Sequence, residues 1–111
     1  MKNYNGKYDH QVSVIISSSD HNLTLESSKR IKMLCEAWNK GISFNEHKSA
    51  RSGDILTREI QIRQIDYAGT VIAFREALRC ICFDMDTLTD ASVKVVDRGT
   101  IPDGARSSLA Q

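Results

Sequence analysis

The sequence predicts a two-layer α+β domain of the ferredoxin-like type, with strand and helix order βαββαβ and both helices on one face of a four-stranded antiparallel sheet. Three observations predict it. Apolar residues alternate at period two in four separate segments, they recur at helical spacing in two others, and the two kinds follow one another in that order. A helix between the first and second strands, and another between the third and fourth, makes two β-α-β crossovers flanking a hairpin. Right-handed crossovers then bring the strands into one sheet.

Each element has its own signal. Residues 1–10 are polar and are expected as a loose lead-in; residues 11–98 form the core of a single 1–111 domain, and 99–111 a polar tail. Val12, Val14 and Ile16 alternate with Gln11, Ser13 and Ser17, a strand with one buried side. The polar run from Ser17 to Asn22 breaks it and offers helix caps. A helix is expected from about Thr24 to Lys40, with Ile31, Leu34, Cys35 and Trp38 on one stripe and Gly41 as its left-handed terminator. Ile42 and Phe44 indicate a short second strand, and His47 to Asp54 a loop carrying Lys48 and Arg51. Leu56, Ile60 and Ile62 share one parity of a third strand from about Ile55 to Gln64. Asp66 is placed to cap a second helix with the stripe Val71, Phe74, Leu78, Ile81, and Cys82 beside it; the pattern fades between Phe83 and Asp90. Val93, Val95 and Val96 mark the last strand.

Composition excludes several classes of function. The 111 residues hold 15 Lys+Arg against 14 Asp+Glu, a net charge of +1, so attraction to nucleic acid or an acidic membrane needs a local patch. No apolar run approaches the roughly 20 residues of a membrane helix, and no apolar stretch follows the basic start as a signal peptide requires. Three cysteines, an odd number, fit reduced and buried thiols in the cytoplasm. No cofactor-binding glycine loop, zinc-like ligand spacing or nucleophile elbow occurs, so neither cofactor nor metal is expected. The run Ser17–His21 contains the residue types of a catalytic triad but fits a strand exit and helix cap better.

The string Phe83-Asp84-Met85-Asp86-Thr87-Leu88-Thr89-Asp90 resembles the nucleophile motif of haloacid dehalogenase-type phosphatases, without the glycine that family places after the second aspartate. That resemblance implies a nucleophile at Asp84 and an acid/base at Asp86 around Mg²⁺. The residues themselves predict a helix end with solvated aspartates.

If the alternating apolar residues face the helices, the other side of the sheet is open. It carries Ile15, Glu59, Gln61, Arg63, Lys94, Val96 and Arg98, an apolar centre with a charged rim. The expected function is therefore a non-enzymatic protein-interaction module, such as an inhibitor, immunity or regulatory protein, with another protein as partner and self-association as a homodimer open to the uncovered edges. The alternative is a nucleic-acid module using the basic residues. The RNA-binding version of this fold stacks bases on aromatic residues, whereas Ser13, Ile15, Gln61 and Arg63 stand at the matching positions.

Overall fold

A computed structural model describes residues 7–38 and 41–102. The elements are β1 (Lys7–Ser18), α1 (His21–Trp38), β2 (Ile42–Ser52), β3 (Ile55–Tyr67), α2 (Ala68–Leu88) and β4 (Ser92–Pro102). The sheet order is β2-β3-β1-β4, antiparallel throughout, which is the ferredoxin-like arrangement expected from the pattern.

Register explains the core. Val14 stands between Ile60 of β3 and Val95 of β4, while Val12 opposes Ile62, which in turn opposes Phe44. These rows meet Ile31 and Cys35 from α1 and Phe74, Leu78, Cys82 and Met85 from α2. Trp38 closes one side, its ring edge-on to Phe74 with centroids 5.5 Å apart.

Helix starts and stops have local causes. α1 begins at His21, earlier than the expected Thr24, because Asp20 caps it: Leu23 N–H donates to Asp20 Oδ1 at 3.2 Å, and Thr24 N–H to the Asp20 carbonyl at 3.3 Å. The expected end at Lys40 falls outside the described residues. Gly41 has φ of 65°, and a side chain there would collide with the carbonyl oxygen of Ile65. That closeness is used: the Gly41 carbonyl accepts from Ile65 N–H at 2.9 Å, tying the helix exit to β3. α2 begins after Tyr67 with no side-chain cap; Asp66 Oδ1 instead accepts from the Tyr67 N–H at 2.7 Å. The helix runs through the segment where the apolar pattern fades, since buried Met85 prolongs the stripe.

Three expected boundaries are too short. Residues 7–10 belong to β1 rather than to a loose lead-in, and Asp9 and His10 are buried there. The polar segment from His47 to Ser52, expected as a loop, continues β2 and pairs with Ile55–Glu59, turning through Gly53, whose φ is 60°. Lys48 and Arg51 are thus strand residues. β4 continues past Val96 to Pro102, so residues 99–102 are not tail; residues 103–111 lie outside the description. Main-chain pairing needs no apolar side chains, so alternation does not mark these extensions.

Candidate interaction surface

The helices cover one face of the sheet, and the opposite face holds every residue singled out for it. Across the strands the register builds two central rows. One reads Asn45, Gln61, Ser13, Val96; the other reads Lys48, Glu59, Ile15, Lys94. Ile15 is half-buried between Glu59 and Lys94, and Val96, exposed, stands beside Ser13. Ser17 and Thr57 share a hydrogen bond of 2.8 Å at one end of the face. A shallow pocket of about 230 Å³ lies over Gln11, Ser13, Asn45 and Gln61, with Arg63 and Arg98 at its rim. That is smaller than the roughly 300–1,000 Å³ of most small-molecule sites.

The cations on this face are not equivalent. Arg63 is locked: its Nε donates to Asp9 Oδ1 at 3.0 Å and its Nη2 to Asp9 Oδ2 at 2.8 Å, a two-pronged pair over a fully buried carboxylate. Lys48 lies 3.8 Å from Glu59. Arg98 Nε donates to Ser13 Oγ at 3.2 Å, a neutral partner. Among the described residues neither Arg98 nor Lys94 has an ion-pair partner. Sequence reasoning grouped Arg63 with the available cations because its partner lies 54 positions away in β1.

Asp84 is exposed on the last turns of α2. Asp86 is occupied structurally, its Oδ1 accepting from Val93 N–H at 2.8 Å, which joins the helix to the start of β4. Thr87 Oγ1 donates back to the Phe83 carbonyl at 2.9 Å. The phosphatase-like string is therefore helix, not the strand-end turn that would converge two carboxylates. No group of three or more His, Cys, Asp or Glu side chains is placed to hold a metal among the described residues.

The thiols divide two to one. Burial pushes Cys35 up to about 11 and Cys82 up to about 12, keeping both as unreactive thiols. Cys80 is exposed, correcting the expectation that all three are buried; two positions along a helix turn it away from Cys82. Cys35 borders a second pocket of about 480 Å³ between α1 and β2, with Lys32, Glu36, Ile42, Phe44 and Glu46.

Between α2 and the edge strand β4 lies a partly exposed charged cluster that the sequence did not reveal. Buried His10 donates from Nε2 to Asp97 Oδ1 at 3.2 Å, and Asp97 Oδ2 lies 3.7 Å from Arg79 and 4.0 Å from Arg75. Burial raises the Asp97 carboxyl, but the Gly99 N–H, His10 and Arg75 outweigh it and hold the group below its ordinary range. Beside His10 in the register is Gln64, buried, whose side-chain nitrogen and oxygen have no hydrogen-bond partner among the described residues.

No family model matches the chain, and no curated protein matches it. Solved structures do resemble it. The de novo designed protein Foldit4 superposes with a TM-score of 0.61 at 13% identity, over 82% of this chain and 99% of that one. The designed protein LFR1 1, with a ferredoxin fold, gives 0.52 at 16% identity, over 86% of this chain and 88% of that one. A hydantoinase/carbamoylase family amidase from Burkholderia ambifaria gives 0.62 at 12% identity, over 95% of this chain but 32% of the amidase. The chain thus spans less than half of that enzyme's length. Identities this low establish a shared fold and nothing more.

Proposed function

We propose that the protein is a non-enzymatic interaction module whose uncovered sheet face docks against a partner protein. The observation that carries this reading is the face itself: four strands wide, without a covering helix among the described residues, with Ile15 and Val96 amid neutral Ser13, Gln61 and Asn45 and with Lys94 and Arg98 at one side. An apolar centre with polar surroundings is the composition of a protein interface. Among the described residues no cluster of metal-ligating side chains competes with it. The shallow pocket on the face is small, and the two thiols nearest the core are held protonated.

A nucleic-acid role is less well supported. Binding driven by phosphate contacts takes several uncompensated cations, and on this face Arg63 and Lys48 are already paired, with Asp9 and Glu59. The middle of the central strands, at Ser13, Ile15, Gln61 and Arg63, offers no aromatic side chain on which to stack a base; Tyr8 and Tyr67 lie at the ends of β1 and β3. No helix among the described residues is long and apolar enough to cross a membrane. Free cysteines fit the reducing cytoplasm as its compartment.

The test is affinity purification of wild type beside two variants. Gln61→Glu adds a charge to the middle of the open face. Phe83→Glu does the same on the outer surface of α2, where Phe83 is 67% exposed. A stoichiometric partner retained by Phe83→Glu and lost by Gln61→Glu is expected. A partner lost by Phe83→Glu and kept by Gln61→Glu contradicts the reading.

A further inference from the structure

The two edges of the sheet differ in how completely they are used. β4 is an edge strand, and two carboxylates cap its main chain: Asp86 takes the Val93 N–H at 2.8 Å, and Asp97 takes the Gly99 N–H at 2.9 Å. Between these points, over residues 94–98, no strand or side chain of the described residues bonds to the outer edge. Five residues is the length of an ordinary short strand. On the open face this stretch presents Lys94, Val96 and, at the bulge where Arg98 and Gly99 together face Gln11, Arg98; the middle one is apolar and exposed, and the outer two have no ion-pair partners among the described residues.

We propose that this window of β4 takes up an extended acidic segment of a partner protein as a fifth strand, with acidic residues opposite Lys94 and Arg98 and an apolar residue opposite Val96. The proposal rests on the interaction reading above and names the partner's chemistry. Main-chain pairing supplies affinity without regard to sequence, and alternate side chains supply selection. Charge decides between occupants. A second copy paired antiparallel about Val96 sets Lys94 against the other copy's Arg98, like charges directly opposite, which destabilises a ladder. An acidic strand meets the same pattern with two attractive pairs. β2, the other edge, lacks the pattern: its open-face residues are Ser43, Asn45, Lys48, Ala50 and Ser52, and Lys48 is already near Glu59.

The experiment uses two fluorescein-labelled heptapeptides, Thr-Glu-Thr-Val-Thr-Glu-Thr and the same sequence with Lys for both Glu, titrated with the full chain at low salt and followed by anisotropy and by backbone amide shifts. The acidic peptide is expected to bind and to shift the amides of residues 94–98, and the basic one to bind at least about tenfold more weakly. The double variant Lys94→Glu/Arg98→Glu, both sites being exposed, is expected to melt like wild type and to reverse the preference. Equal binding of the two peptides, binding of neither, or shifts confined to β2 or the helices overturns strand addition. A partner recovered by purification that is lost with Gln61→Glu yet indifferent to the double variant also overturns it, and leaves the interaction reading standing. A partner indifferent to both removes the two together.

Discussion

Asp9 and His10 are neighbours in β1, both essentially buried, and they point to opposite sides of the sheet. On the helix side, His10 is buried by the fold and bonds Asp97, which in turn is met by Arg75 and Arg79 of α2. On the open side, Asp9 is capped by a side chain, since Arg63 reaches across from β3 with two hydrogen bonds. One face therefore gains its stability from a shared core, while the other has only local pairings. Away from the Arg63–Asp9 pair, the open face is consequently free to change its contacts at little cost to folding, as the proposed docking requires.

Truncation breaks this comparison most sharply. Phe74→Ala, which empties a fully buried site on the covered side, is expected to destabilise by about 3–5 kcal/mol in denaturant unfolding. Val96→Ala on the open side is expected to cost less than about 0.5 kcal/mol. Arg63→Ala falls between them, at about 2 kcal/mol, because it strips two hydrogen bonds from a buried carboxylate. A loss below about 0.5 kcal/mol there makes the open-face pair ornamental. Gln64→Leu is expected to stabilise by about 1 kcal/mol, since it removes a buried amide with no partner among the described residues.

The smallest effect concerns acid. Asp97 has its folded pKa below the 3.8 of a free carboxyl, so its ion pairs contribute fully above that value. The contribution is lost as pH falls through the lower, folded value. Asp97→Asn should therefore be less stable than wild type at neutral pH and converge with it in urea titrations as pH falls below the ordinary carboxylate range. A constant difference across that range contradicts the assignment.

Much of this architecture was legible because alternation and helical spacing are produced by burial. Val12, Val14, Ile16, Ile60 and Ile62 announce the covered side, and their neighbours announce the open one. Strand pairing by polar residues leaves no such mark, so Lys7–His10 and His47–Ser52 were invisible as strand. Nor does local sequence show that Arg63 closes on Asp9 or that Asp86 holds Val93, since both bonds join different elements. The seven residues proposed for the open face do lie there, but their availability is a tertiary property. Register separates Lys94 and Arg98, without ion-pair partners among the described residues, from the paired Arg63 and Lys48.

The most direct test is the accessibility of the two sides to a soluble paramagnetic probe, measured on isoleucine and valine methyl signals. Strong broadening of Val96, with intermediate broadening of Ile15 and little at Val14, Ile60 and Ile62, is the expected result. If Val96 and Ile15 are as protected as Ile60, that side is covered by the chain itself, and no docking surface exists there.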